Sequence, residues 1–396
     1  MERGGDGVNI INGLHQIEPE FAKFAVQFTV MYLQTVSLLN FKNIEEAEIS
    51  FSPRINCFVG NNGVGKTNLL DAIHYLCLCK SYFNPVDTQN ISHNKEFAVI
   101  QGMFSENGKS DEIFCSIHHN RNKVFKRNKK EYEKLAHHIG LFPVVMISPE
   151  DTSLIMEGSE ERRKFLNSVI SQYDKQYLED MISYNKLLSQ RNRILKDFQA
   201  LRNYDDEMLK VYDDQMILPA ERIFARRNEY TDKMIPIFRR YYSLIAPENE
   251  EVDMQYQSQL SGMDYGGLLA SSREKDRIMQ YTTQGIHKDE LLLKLNGYPM
   301  KKTGSQGQQK TFLVTLKLAQ FDFIKAMNRA LPILLLDDVF DKFDESRVRQ
   351  IIKLVSDVHF GQIFITHTDE HKMKSILEEM NTDFRLFHIE DGKVVS

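Results

Sequence analysis

The residues with the plainest chemical capacity are Gly60-Asn61-Asn62-Gly63-Val64-Gly65-Lys66-Thr67. Glycines at this spacing let the backbone turn tightly, so that its N–H groups converge on phosphate oxygens at a helix N-terminus. Lys66 has the reach for β- and γ-phosphates, and the Thr67 hydroxyl suits Mg²⁺. The setting is the one such a loop needs. The apolar run Ile55–Val59 reads as a buried strand before it, and residues 68–79 carry helical apolar spacing after it. A bare glycine-rich turn is the bland alternative, and this context counts against it.

Two further strings could serve the same phosphates. Ile333-Leu334-Leu335-Leu336-Asp337-Asp338 is an apolar strand ending in two carboxylates. Asp337 would stand at the rim of a sheet, where it can hold Mg²⁺ through water. Asp338 would stand where a general base or water-positioning group is wanted. Many buried strands end in Asp, so this string gains its meaning from the loop. Thr303-Gly304-Ser305-Gln306-Gly307-Gln308-Gln309-Lys310 precedes a helix expected over Thr311–Met327. Its N-terminus is either an ordinary capped end or a second anion site. One nucleotide does not need two such sites from one chain. A dimer does, if each Ser305 closes over the other chain's phosphate.

Composition and periodicity indicate the elements that must hold these strings. With 396 residues, 42% hydrophobic and 27% charged, the chain suits a globular protein of about two domains, or one large domain with an insertion. No run approaches the roughly eighteen apolar residues of a membrane span. Cys57, Cys77, Cys79 and Cys115 lack zinc-binding spacing, and reduced thiols in a cytoplasmic protein are expected. Fifty Lys and Arg against 55 Asp and Glu argue against coating nucleic acid by bulk charge. Residues 1–30 lack the marks of a signal peptide and are expected to be an extension ahead of a working start at Met31. Residues 31–150 and 311–396 mix strand and helix patterns and are expected to form one α/β lobe. Residues 151–310 are expected to form a helical lobe with the Ser305 string at its end. Within it, 159–242 predict two or three long helices broken near Asn203–Asp206, too irregular for a long coiled coil, and 246–266 a polar connection.

The motif order is phosphate loop, Ser-Gln-Gly-Gln-Gln string, Leu-Leu-Leu-Asp-Asp strand, Asp341-Lys342-Phe343-Asp344 and Thr366-His367. It resembles an ABC-type ATPase head of the SMC-like group. More closely, the chain resembles the RecF family of bacterial recombination mediators. The similar residues are Leu39-Asn40-Phe41-Lys42-Asn43, Gly65 to Ala72, Ser148-Pro149-Glu150-Asp151, Gly158-Ser159 with Arg162-Arg163 and Phe165-Leu166, and Gly285-Ile286-His287-Lys288-Asp289, and the likeness runs over residues 31–396.

The resemblance implies an α/β P-loop head with an inserted helical lobe. It implies that Gly60, Asn61, Asn62, Gly63, Val64, Gly65, Lys66 and Thr67 bind ATP, with Asn68 and Lys42 beside them. Thr67 and Asp337 would hold Mg²⁺, and Asp338 would position the attacking water. Ser305 and Gly307 would contact the γ-phosphate in trans, Asp344 would line the dimer seam, and His367 would sense the γ-phosphate. An ATP-dependent homodimer is implied, with weak DNA-dependent hydrolysis acting as a switch. So are non-sequence-specific binding to single-stranded, gapped or junction DNA, the partners RecO and RecR, and roles in recombinational repair, replication-fork maintenance and SOS induction. Some positions depart from the pattern. Asp338 stands where transporter-type heads carry Glu, Lys42 where Arg is usual, and Pro149-Glu150-Asp151 where a lid Gln would be. Ile286 and Lys288 replace Pro and Arg in a box whose role the sequence leaves open.

For DNA, residues 118–138 hold seven Lys and Arg against Glu131 and Glu133. Arg121, Lys123, Lys126, Arg127, Lys129 and Lys130 fall on or near one predicted hairpin. They are either within reach of a phosphate backbone or a solvated face. A transporter nucleotide-binding subunit and a monomeric P-loop kinase are the rival readings. The 159–242 arm and Asp338 count against the first, the Ser305 string against the second.

Overall fold

The computed structural model describes residues 31–395 apart from 202–203, 247–248, 329, 341–344, 357–359 and 380–381, with backbone alone at 345–346. The extension expected at residues 1–30 and the seam role of Asp344 lie outside the described residues. Strand β1 (Met31–Phe41) pairs antiparallel with β2 (Ile44–Ser50). A register shift between Leu33 and Thr35 lets Leu33 and Val36, three residues apart, both face the core. Strand β3 (Ile55–Val59) then leads into the glycine loop and helix α1 (Lys66–Leu78). Strands β4 (Phe97–Glu106), β5 (Lys109–His118), β6 (Val124–Arg127) and β7 (Lys130–Glu131) extend the β2–β1 pair into a six-stranded sheet. Its tight turn at Asn107-Gly108 has positive φ at both residues, as a two-residue hairpin requires.

Strand β8 (Val144–Ile147) returns to β3's sheet, and the chain then enters the helices α2 (Ser159–Ser171), α3 (Lys175–Leu201) and α4 (Asp206–Ile245). The break expected near Asn203–Asp206 falls at the start of α4, where Asp205 caps it by accepting from the Met208 amide. Strand β9 (Val252–Gln257) corrects the polar connection expected over 246–266. Val252 and Met254 point inward between polar neighbours, a period-two pattern hidden by overall polarity. After helix α5 (Tyr265–Met279), β9 pairs with β10 (Glu290–Leu295), which pairs with β11 (Tyr298–Pro299).

Helix α6 (Gln306–Met327) begins five residues before the expected Thr311. Ser305 and Gln308 form a capping box, so the Gly- and Gln-rich stretch is the first turn of the helix rather than a loop before it. The rest is β12 (Ile333–Leu336), α7 (Glu345–Val355), β13 (Ile363–His367), α8 (Glu370–Glu379) and the hairpin β14 (Phe384–Glu390) and β15 (Lys393–Val394).

The second large sheet has the order β15-β14-β3-β13-β12-β8, and all its strands except β15 run parallel. Strands β3, β8, β12 and β13 are buried at every position, as expected where both faces of a parallel sheet are covered. Parallel pairing gathers the carboxyl ends of β3, β8, β12 and β13 along one edge, the usual place for a ligand in such sheets. One apolar cluster covers one face of this sheet together with α6 and the long helices; the other fills the space between the two sheets around α1. All but Thr67 and Asn68 of α1 are buried. This is a mixed α/β head with inserted helices. Among the described residues no helix is long and apolar enough to cross a membrane.

Candidate nucleotide-binding site

The glycine loop is shaped by its neighbours. Gly60 has φ +148°, and a Cβ there would lie 2.4 Å from the Ile389 carbonyl oxygen of β14, so only glycine fits. The Gly392 amide donates to the Val64 carbonyl at 2.8 Å, and Asn68 donates from Nδ2 to Asn43 Oδ1 at 2.7 Å. The C-terminal hairpin and Asn43 thus clamp the loop from two sides. Lys66 is buried, and Nζ donates to the carbonyls of Gly60 and Asn61, each at 2.8 Å. Burial lowers its pKa, against the pull of Asp338 and Asp337.

The second string arrives where the sequence reading requires it. Thr67 donates from its hydroxyl to Asp337 Oδ1 at 2.8 Å, across 270 residues of sequence. The Thr366 hydroxyl, on neighbouring β13, donates to the same oxygen at 2.9 Å. Burial pushes the Asp337 carboxyl up to about 6, with the two hydroxyls partly opposing. Thr366 Oγ1 also accepts from the Asp338 amide at 2.8 Å, and Asp338 takes a left-handed φ of +44°. His367 Nδ1 accepts from the Asp369 amide at 2.8 Å, so the neutral ring carries its proton on Nε2. Burial depresses its pKa, and Asp338 is near enough to oppose that shift. A hydroxyl and one carboxylate meeting beside a phosphate loop is a hard oxygen donor set that fits Mg²⁺ shared with phosphates.

Not every expected residue stands ready. The Lys42 ammonium pairs with buried Asp71 of α1 at 2.6 Å and is committed to the helix behind the loop. Ser305, Gln306 and Gly307 are exposed. The Ser305 hydroxyl accepts from the Gln308 amide at 3.3 Å, and a Cβ built on Gly307 would meet nothing within 4 Å. Among the described residues no hydrogen bond or ion pair joins Ser305 or Gly307 to residues 60–68.

The basic hairpin is thinner than its charge count. Lys123 turns inward, donating to the Cys79 carbonyl at 2.6 Å and pairing with Asp87 at 3.0 Å. Arg127 is held by both oxygens of Asp111, at 2.9 and 2.7 Å. Two of the six candidate DNA contacts are therefore engaged by carboxylates of this chain. Lys126 is half-buried beside Phe114, and Arg121, Lys129 and Lys130 remain exposed.

The Gly285–Asp289 box now has a physical account. Asp289 Oδ2 accepts from Arg227 of α4 at 2.6 Å and from the Tyr256 hydroxyl of β9. Arg163 of α2 donates to the Asp289 carbonyl at 2.8 Å. Tyr184 of α3 bonds His287 Nδ1 at 2.7 Å, and His287 Nε2 meets the Thr282 carbonyl at 2.9 Å. The box knots α2, α3, α4 and β9 together. Residues missed in sequence are Asn43, which lay in a quoted string without a role, and Thr366, whose signal was its place on the neighbouring strand end.

Known proteins resemble this chain over most of its length. A family model described as the RecF/RecN/SMC N terminal domain matches residues 32–394. The DNA replication and repair protein RecF of Parabacteroides distasonis is 51% identical over 364 residues, covering 92% of this chain and 99% of the relative. Its counterpart from Phocaeicola vulgatus is 48% identical over 366 residues, covering 92% and 98%. A solved structure of the recombination mediator protein RecF with ATP, in the RecFOR pathway, superposes with a TM-score of 0.83 at 28% identity, covering 94% of this chain and 99% of that one.

Proposed function

The chain belongs to the RecF/RecN/SMC N-terminal domain family, on its RecF branch, and from that premise we propose that it is an ATP-dependent DNA-binding protein of recombinational repair. Each chain binds ATP on residues 60–68. Two chains close over two nucleotides, each supplying Ser305 and Gly307 to the other's γ-phosphate, and the closed pair grips DNA without reading its sequence. Slow hydrolysis opens it again. The observation that carries this reading is the meeting of Thr67 with Asp337 beside the glycine loop.

The chain's own residues divide the work. Lys66 exchanges its two carbonyl partners for phosphate oxygens, a stronger charge-assisted bond. The Thr67 hydroxyl and Asp337 would hold Mg²⁺, which offsets the charge of the phosphates when bound. Asp338 orients the attacking water, and His367 offers its Nε2–H to the γ-phosphate. An Asp is one methylene shorter than the Glu of faster heads, so turnover is slow. DNA contacts fall to Arg121, Lys126, Lys129 and Lys130 rather than to Lys123 and Arg127. The proposed role extends to loading of recombinase with RecO and RecR, which the RecFOR pathway of a solved relative supports, and to fork maintenance and SOS induction, which rest on the family resemblance.

The test is mass and DNA retention with ATP, ADP and no nucleotide. Asp338→Asn should prolong an ATP-dependent dimer, and Lys66→Arg should weaken it. Light scattering that gives Asp338→Asn one mass with and without ATP sinks the mechanism.

A further inference from the structure

Helix α6 runs unbroken from the Ser305 cap to Lys317 and beyond, so the two residues are joined by about three rigid turns. The Lys317 side chain is buried, and its three N–H donors all find oxygen partners. Nζ bonds Asp151 Oδ1 at 2.7 Å, the Tyr82 hydroxyl at 3.1 Å and the Met146 carbonyl at 3.0 Å. The acceptors lie on β8 or just beyond the ends of β8 and α1. Met146 lies on β8, paired with the strand that ends in Asp337. Asp151 follows β8 and accepts the Ser148 amide at 2.8 Å through its other oxygen. Tyr82 follows α1, donates its hydroxyl to Asp151, and is tied by its amide to Asp71 of α1 at 2.7 Å. Burial and Asp151 hold the Tyr82 hydroxyl well above its ordinary pKa, so it stays a donor.

Beside this knot the structure parts into a cleft of about 860 Å³, lined among others by Phe83, Glu150, Leu154, Lys164 and Phe165. Polar bonds therefore fix α6 on that side. We propose that Lys317 is a positioning residue, which sets α6 against β8 and the segments after β8 and α1 so that Ser305 meets the nucleotide held by the other chain. This rests on the two-chain closure proposed above. Its distinctive consequence is that losing Lys317 harms the partner's nucleotide site and spares its own. A shift of a fraction of an ångström at Ser305 is enough, because catalysis depends steeply on placement.

The experiment measures ATP turnover by Lys317→Met, which keeps the alkyl stem and loses the ammonium. Turnover should fall about tenfold with KM within about twofold of wild type, and Lys317→Arg should recover most of it. Lys317→Met is then mixed one to one with Asp338→Asn. Random pairing leaves one intact site in half of the dimers, so the mixture should reach about one quarter of wild-type turnover. Ser305→Ala mixed with Asp338→Asn is the control for closure itself. Recovery in the control without recovery in the Lys317→Met mixture overturns the proposal and leaves closure standing. No recovery in either mixture overturns closure, and the proposal with it. Unchanged turnover in Lys317→Met alone also overturns it. Should Lys317→Met not fold, Tyr82→Phe, which removes the hydroxyl's bonds to Lys317 and Asp151, takes its place in the same mixtures.

Discussion

The glycine loop and the Ser305 turn are both helix N-termini of the kind that bind anions, yet they are built in opposite ways. At the loop's helical end the polar side chains have partners within the chain: Lys66 on two carbonyls, Thr67 on Asp337, Asn68 on Asn43. At the other end Ser305 and Gln308 satisfy each other, and Gly307 faces open space. Among the described residues nothing crowds a Cβ at position 307, where alanine would favour the helix. The difference teaches that one end is internally satisfied at its ligand-facing residues while the other leaves its glycine open, as the proposed two-chain closure requires.

The largest test of this contrast is Lys66→Ala. Removing a cation that would bond two phosphates should weaken ATP binding by about a hundredfold, as read by titration with a fluorescent nucleotide. A loss below about threefold would break the claim that the loop end is the complete one.

Paired alanine substitutions sharpen it. Gly60→Ala drives a Cβ against the Ile389 carbonyl at a positive φ and should lower stability by about 2–3 kcal/mol. Gly307→Ala should leave stability unchanged or raise it by about 0.5–1 kcal/mol, while ATP-driven dimerisation falls. Thermal melts and light scattering read both. A destabilised Gly307→Ala would mean that the Ser305 turn has an internal duty.

Acid should separate the two ends by charge. Asp337, pushed up to about 6 by burial, is neutral below that pH and then cannot hold a cation. Mg²⁺-dependent ATP binding should therefore fall roughly tenfold per pH unit below about 6, and Asp337→Asn should be weak and flat across that range. The smallest effect is expected for Asn43→Ala, which loses one bond to Asn68 and about 1 kcal/mol, visible as a few-fold weaker nucleotide binding.

Motifs of adjacent residues were legible in the sequence: the loop, the strand with two carboxylates, the strand–loop–helix order. Partners outside them were not. The motifs paired Thr67 with Asp337 through a shared Mg²⁺ although 270 positions part them, but Lys317 and Tyr82, 235 apart, carry no motif, so only the fold announces that they touch. Charge counting failed on the hairpin for the same reason, because Asp111 and Asp87 lie outside the basic run they neutralise. Strand β9 was hidden by polar residues that merely face outward. The Ser305–Gln308 capping box was present as a local signal, but its glycine and glutamines read as a turn.

Helix α4 gives the molecule a lever. It grips α6 near its C-terminal half, where Tyr230 packs on Phe323, Phe238 on Phe312 and Arg240 pairs with Asp322 at 2.6 Å. From Tyr230 back to its start at Asp206 it continues for about 36 Å at the usual helical rise. A rotation of α6 by about 5° would swing that far end through about 3 Å, a displacement comparable with a side chain's reach. A change too small to measure easily where the phosphates sit would thus become visible as motion at the tip of the arm.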